Sequence, residues 1–207
     1  MTARRDRLIQ FLLIWVMAFA IALSLDRVIA DWVLMSHPLD RRGAVAWLLK
    51  LPGYFPLTIA IAAAISFFHP RSWRMALPLV ISGPLVGIGY TLLKWIVGRR
   101  RPVIALEPFT FHPLARGFMG LVHAESGLSF PSGHTALAFA TATCLANALP
   151  RWGSTFFLCA SLVGAERILE NAHYLSDVVA GAGVGIACGS FALSLSERLI
   201  SQVRRDP

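Results

Sequence analysis

Charge is scarce in this 207-residue chain: only 14% of its residues are Asp, Glu, Lys or Arg, acidic residues number 11 in all, and 56% are hydrophobic. A soluble domain of this length carries about a quarter charged residues. Together with a mean hydropathy of +0.63, the shortage excludes an ordinary soluble fold and implies an integral membrane protein. Cysteine is scarce too. Cys144, Cys159 and Cys188 all lie inside apolar segments with no CxxC or His/Cys ligand spacing, which argues against a disulfide framework and a structural zinc site. There is no evident internal repeat or low-complexity segment. The formal net charge of +8 would suit nucleic acid, but the arginines gather at segment ends and in loops rather than along one amphipathic stripe. No nucleic-acid partner is expected.

What the chain has instead is long apolar runs. Six of them, residues 8–25, 54–68, 76–97, 134–149, 154–169 and 178–195, approach the length a helix needs to cross a bilayer about 30 Å thick. The first follows Arg4, Arg5 and Arg7 but is too long for a signal-peptide core, so it reads as a retained span. Pro78 and Pro84 interrupt the third, which a membrane bundle tolerates because neighbouring helices satisfy the freed carbonyls. The expected architecture is all-α and polytopic, six transmembrane helices in a single domain over residues 1–207. Arg4, Arg5, Arg7, Arg71, Arg74, Arg151, Arg198, Arg204 and Arg205 fall on one side if the helices alternate, and that side is expected to be cytoplasmic. The stretch 31–49, with Trp32 and Trp47, reads as a short interfacial helix. The one long connection, 98–130, carries Pro102, Pro108 and Pro113 among Phe109, Phe111, Phe118 and Phe130, which suits a loop folded over a site at the membrane surface.

Three groups of residues carry chemistry. Lys94 ends the third run and Arg101 follows seven positions later, a spacing that puts both on nearly one helical face if the helix continues to Pro102. Arg99 and Arg100 then point elsewhere and read as cations reaching lipid headgroups. Pro131-Ser132-Gly133-His134 has the form of a helix start, with Pro131 in the first turn. The free N–H groups of Ser132, Gly133 and His134 and the positive end of the helix dipole would make an anion site there, although a plain capped helix starts the same way. Arg167 ends the fifth run and His173 and Asp177 open the sixth, so a short connection folds the arginine back toward the histidine. A carboxylate on one ring nitrogen fixes the tautomer and leaves the other nitrogen as a nucleophile toward phosphorus. A lone boundary histidine is usually structural; two, each with phosphate-binding neighbours on one side of the membrane, are not well explained that way.

With these residues the chain resembles the type 2 phosphatidic acid phosphatases, membrane lipid phosphatases that share a helical core with vanadium haloperoxidases and bacterial acid phosphatases. The family pattern K-x6-R-P, P-S-G-H, S-R-x5-H-x3-D is met by Lys94 to Arg101-Pro102, by Pro131 to His134, and by Glu166-Arg167 to His173 and Asp177. The resemblance covers about residues 54–195 and implies that core. It implies that Lys94, Arg101, Ser132, Gly133 and Arg167 bind phosphate, that His173 becomes a transient phosphohistidine and that His134 is the general acid, with Asp177 orienting His173. Glu166 departs from the pattern, standing where the family usually has serine or glycine. Because adjacent helical residues do not share a face, Glu166 is expected to point away from the site, toward Arg99 or Arg100.

The implied activity is hydrolysis of a lipid phosphate monoester or lipid pyrophosphate at the non-cytoplasmic face of a bacterial inner membrane. No metal and no other cofactor is expected, since three cations replace the divalent ion many phosphatases use. Undecaprenyl pyrophosphate, phosphatidic acid, phosphatidylglycerol phosphate and phosphorylated lipid A present similar headgroups, and the sequence does not choose among them. A lipid-to-lipid phosphotransferase differs only in the acceptor. A non-catalytic lipid-phosphate binder or transporter would need the cations but not the nucleophile, and peroxidase chemistry lacks its large soluble scaffold here. Gly181, Gly185 and Gly189 form a small-xxx-small packing stripe rather than a nucleotide loop.

Overall fold

The helix that organises the structure is the one least able to bury polar bulk: 133–148 is rich in alanine, and eight of its residues, from Thr135 to Cys144, are buried. A helix buried nearly all round belongs at the centre of a bundle. In the computed structural model, which describes residues 2–36, 39–40, 42–68, 73–104, 110–114 and 127–203, seven α-helices are seen among the described residues. They are α1 (Thr2–Met35), α2 (Ala44–Lys50), α3 (Phe55–Phe68), α4 (Trp73–Val97), α5 (Gly133–Ala148), α6 (Gly153–Leu169) and α7 (Leu175–Val203). Two single 3-10 turns, Leu51–Gly53 and Pro150–Trp152, join α2 to α3 and α5 to α6.

Central α5 packs against α4, α6 and α7, while α1 lies on the outer side of α7 and α3 beside α4. Backbone proximity explains the glycine stripe of α7. A Cβ at Gly181 would lie 2.6 Å from the Ser132 carbonyl oxygen, and one at Gly189 would lie 2.9 Å from both the Ala140 carbonyl oxygen and Thr143 Cβ. Such contacts leave no room for a side chain, as small-xxx-small packing requires. On the opposite side of α5, Ala138 and Ala142 pack with Ala160 and Val163 of α6. Trp15 ties α1 on by donating from Nε1 to the Val179 carbonyl at 3.2 Å.

Each of the six apolar runs folds as a helix. By length and apolarity, however, only α4, α7 and the 12–35 part of α1 qualify as spans among the described residues; a fourth arises if α2 and α3, bent by 61° at their junction, count as one. With 16 and 17 residues, α5 and α6 fall short of the roughly 20 that cross a bilayer unaided. The expected interfacial helix over 31–49 is corrected. With no proline or glycine between residues 2 and 37, α1 runs on to Met35, and the separate α2 begins only at Ala44. The end of α4 is corrected too, from Arg101 to Val97. Gly98 takes a φ of +63°, the left-handed conformation that stops helices, and its N–H closes the last turn on the Lys94 carbonyl at 2.8 Å. Pro108, Phe109, Phe118, Arg71, Arg204 and Arg205 lie outside the described residues.

The glycine stripe makes a direct prediction. Gly189→Ala forces a methyl group into the α5 backbone and should destabilise the folded protein by about 1–3 kcal/mol. Gly87→Ala, where an added Cβ meets nothing within 4 Å, should not. Thermal unfolding of the two detergent-purified variants checks this, and equal melting temperatures would contradict the packing.

Candidate active site

Four helix ends meet at one end of the bundle. The segment after α4 holds them together: Arg99 bridges to Phe111 and Arg100 to Leu128 in antiparallel fashion, the Arg101 N–H donates to the Gly127 carbonyl at 3.1 Å, and the Ser129 N–H donates to the Arg99 carbonyl at 2.7 Å. This ladder carries Arg101 next to the start of α5. Lys94 and Arg101 therefore meet through a turn and a bridge, not through the shared helical face expected of them. Arg101 Nε donates to the Leu128 carbonyl at 3.2 Å, and Lys94 Nζ sits 5.3 Å from the centre of the Tyr90 ring.

At the start of α5 Ser132 is the N-cap residue, so Pro131 precedes the cap instead of occupying the first turn. Ser132 is fully buried, and its N–H is not free: it donates to the Asp177 carbonyl at 3.0 Å, while its hydroxyl accepts from Thr135 Oγ1 at 2.9 Å. The amides left without an intrahelical acceptor are those of the first turn, Gly133, His134 and Thr135. Gly53 passes so close that a Cβ there would lie 2.9 Å from His134 Cβ, and the Tyr54 ring stands edge-on to the His134 ring at 4.8 Å.

Between α6 and α7 the chain turns through Asn171, at a φ of +54°, which asparagine tolerates better than most residues. The N–H groups of Ala172 and His173 both donate to the Arg167 carbonyl, at 3.1 and 3.3 Å, and fold His173 back under the arginine. Asp177, in the first turn of α7, caps its own helix by accepting from the Tyr174 N–H at 2.9 Å. The same Oδ2 lies 3.7 Å from His173 Nδ1, within ion-pair range but too long for a hydrogen bond. His173 Nδ1 is buried with no hydrogen-bond partner among the described residues.

One cavity of about 470 Å³ collects most of this chemistry, with Lys94, Arg101, Gly133, His134 and His173 in its lining. Ser132, Arg167 and Asp177 stand behind the wall. A larger cavity of about 580 Å³ opens among Arg74, Asn147 and Glu197 at the other end of α4, α5 and α7, and no motif residue reaches it.

The sequence pattern of the PAP2 superfamily matches residues 73–201, the span that holds all three motifs. The chain belongs to the PAP2 superfamily. It is 38% identical to a lipid A 1-phosphatase of Rhizobium etli over 48% of this chain and 40% of that one. A lipid A 1-phosphatase of Porphyromonas gingivalis is 40% identical over 38% of this chain and 18% of its own, so the matches span less than half of these relatives. Phosphatidylglycerophosphatase B of Bacillus subtilis is 30% identical over 63% of this chain and 62% of that enzyme. Among solved structures, LpxE of Aquifex aeolicus superposes with a TM-score of 0.59 at 24% identity, covering 83% of this chain and 94% of the other. The first transmembrane PAP2-type phosphatidylglycerolphosphate phosphatase from Bacillus subtilis superposes at 0.60 and 23%, covering 92% and 96%. These two likenesses establish a shared fold.

Within this PAP2 fold two residues stand where the sequence did not put them. Arg99, expected to reach lipid headgroups, is 1% exposed. Its Nη1 donates to Asp177 Oδ1 at 2.9 Å and to Ser176 Oγ at 2.7 Å, and its Nη2 donates to Asp26 Oδ2 at 2.8 Å. Its guanidinium also lies 3.9 Å from the centre of the Tyr174 ring. Asp26 of α1, fully buried, accepts from the Ser176 N–H at 2.9 Å as well. A carboxylate directly after the apolar run 8–25, with Val28, Ile29 and Ala30 beyond it, was the signal available for Asp26.

Glu166 is the second correction. It does not point toward Arg99 or Arg100 but lies fully buried, taking Arg167 Nε on Oε2 at 2.6 Å and Arg167 Nη2 on Oε1 at 2.8 Å. Neighbouring side chains on a helix diverge at Cβ, yet two long, desolvated and opposite charges gain by curling together.

Arg99→Ala would strand two buried carboxylates and should destabilise the protein by about 3–5 kcal/mol. Arg100→Ala should cost less than about 1 kcal/mol. Thermal unfolding in detergent separates the two.

Burial drives the His173 imidazole down from 6.5 to about 4, with Asp177 opposing the fall and Arg101 and Lys94 adding to it. The neutral ring is the folded form at pH 7. As pH falls below about 6.5 the unfolded chain takes up a proton that the folded chain refuses until about 4, so this stability is complete above 6.5 and lost across that window. Between pH 7.5 and pH 5 the wild-type chain should lose about 2 kcal/mol more stability than His173→Gln. Parallel pH dependences of the two melting temperatures would contradict the buried, neutral ring.

Proposed function

We propose that this PAP2 protein hydrolyses a phosphate monoester or pyrophosphate carried on a lipid, through a phosphohistidine on His173 and without a metal ion. The observation that carries this reading is the single cavity with two histidines and two cations at one end and apolar residues at the other. Along α4 the lining runs from Lys94 through Tyr90 to Gly83, about 16 Å of helix. With Phe55, Val86 and Leu137 beside it, that length suits a phosphorylated headgroup followed by the first part of a hydrocarbon chain. Lipid phosphates are named for the Rhizobium, Porphyromonas and Bacillus relatives, which supports a lipid substrate here.

In the proposed reaction Nε2 of neutral His173 attacks phosphorus while the bond to the leaving oxygen breaks, and His134 gives that oxygen its proton. His134 then takes a proton from water, the water oxygen attacks the phosphohistidine, and the P–N bond breaks to release inorganic phosphate. Lys94, Arg101, Arg167 and the first-turn amides of α5 stabilise the charge that spreads over the phosphoryl oxygens, with the Ser132 hydroxyl beside them. Asp177, close to Nδ1, favours the positive charge that develops on the ring. The acceptor read here is water, so the chain is proposed as a hydrolase.

The shared position of the four helix ends supports a proposed membrane disposition. We place six spans, α1 and α3 to α7, in one domain over residues 1–207. The C-terminal ends of α4 and α6 and the N-terminal ends of α5 and α7 then share the non-cytoplasmic face of a bacterial inner membrane. The arginines of the N-terminus and of the end of α7 occupy the opposite face.

Phosphate release by the detergent-purified chain from undecaprenyl pyrophosphate, phosphatidic acid, phosphatidylglycerol phosphate and lipid A tests the reading. Release from at least one is expected, persisting in excess EDTA and inhibited by vanadate, and His173→Ala should lose at least about a thousandfold. Near-normal turnover by His173→Ala, or a strict magnesium requirement, would overturn the mechanism.

A further inference from the structure

Behind the cavity wall, among the described residues, lies a buried group of two cations and two carboxylates drawn from α2 and the end of α6. Lys50 Nζ is 2.5 Å from Glu170 Oε1 and 3.8 Å from Glu166 Oε1, with the lysine side chain 9% exposed and the carboxylates 3% and 0%. Arg167 binds both carboxylates: Nε and Nη2 grip Glu166 side-on, and Nη2 also donates to Glu170 Oε2 at 2.6 Å. Three of the five guanidinium N–H groups are committed in this way. Among the described residues no acceptor engages Nη1, whose two N–H groups remain for another anion.

The arrangement fixes the plane of Arg167 but exacts an electrostatic penalty. Two carboxylates touching one guanidinium make a net anion, and a net anion beside the first turn of α5 repels phosphate. Lys50 offsets one of the two negative charges. It is also tied to the site through the chain: three residues on, Gly53 lies against His134, and Tyr54 stacks edge-on upon its ring.

We propose that Lys50 is a positioning residue, neutralising the Glu166–Glu170 pair behind Arg167 so that this guanidinium is both held in plane and able to attract the phosphoryl group through Nη1. The proposal rests on the reading of Arg167 as a phosphate ligand. It also gives Glu166, the departure from the family pattern, a place. A second carboxylate on the arginine calls for a second cation, and Lys50 supplies it from an element outside the three motifs.

The balance of charge is open to direct measurement through orthovanadate, a phosphate mimic, whose dissociation constant is read from its protection of the detergent-purified full chain against thermal unfolding. Lys50→Met removes one positive charge from the group and should weaken vanadate binding about tenfold, whereas Lys50→Arg should stay within about threefold. Adding Glu170→Gln to Lys50→Met removes one negative charge as well and should recover most of the loss. A role confined to packing would not respond in this way, since a second core substitution would add damage. Glu170→Gln alone removes a negative charge and should bind vanadate more tightly than the parent, which keeps the test decisive if Lys50→Met does not fold. Unchanged affinity in Lys50→Met, a double variant no better than the single, or no tightening in Glu170→Gln overturns the proposal. Phosphate release by the wild-type chain is measured separately, so failure of the phosphatase reading and failure of the Lys50 proposal are told apart.

Discussion

A desolvated guanidinium that two aspartates share is the contact on which the rest of the site depends. Arg99 follows α4, Asp26 belongs to α1 and Asp177 to α7, and all three are at most 1% exposed. A charge so far from water is strongly destabilising unless fully paired, and here each carboxylate carries an additional N–H donor: Ser176 for Asp26, Tyr174 for Asp177. In this arrangement three segments distant in sequence meet and pair their buried charges. That arrangement sets the first turn of α7, and through the Ser132 N–H on the Asp177 carbonyl it sets the first turn of α5 as well.

From that anchor the geometry of the cavity follows in short steps. The ladder through Arg99 to Arg101 delivers one cation, the last turn of α4 another, and the tight return from Arg167 to His173 delivers the ring with its neutral nitrogen buried. The backbone contacts of α5 with α7 hold the two histidine-bearing helix starts at fixed separation, since no side chain intervenes at Gly181, Gly185 or Gly189. Precision in a phosphoryl-transfer site comes from such positioning more than from any single strong bond.

How much of this was legible in the sequence depended on range. The apolar runs located every long helix, because burial and period are local properties, and three short motifs located Lys94, Arg101, His134 and His173, which the fold brings to one cavity. Membership of the superfamily followed from the same motifs. What escaped was pairing across distance. Arg99 looks the same as Arg100 in sequence, and nothing local says that its partners are 73 and 78 positions away. Glu166 departs from expectation because the rule against neighbours sharing a helix face describes solvated side chains, while Glu166 and Arg167 are both buried where α2 closes over the end of α6. α4 ends four residues before Arg101, because Gly98 in its left-handed conformation stops the helix ahead of Pro102.

The central claim is that the phosphoryl group passes through His173. Rapid quenching into alkali, where phosphohistidine survives, after mixing the detergent-purified chain with a lipid labelled in its phosphate, measures this directly. The account predicts a burst of protein-bound label that maps to the peptide containing His173 and that persists longer in His134→Ala, where the water step lacks its base. Turnover with no label on His173 at any quench time, in either the wild-type chain or His134→Ala, would contradict it.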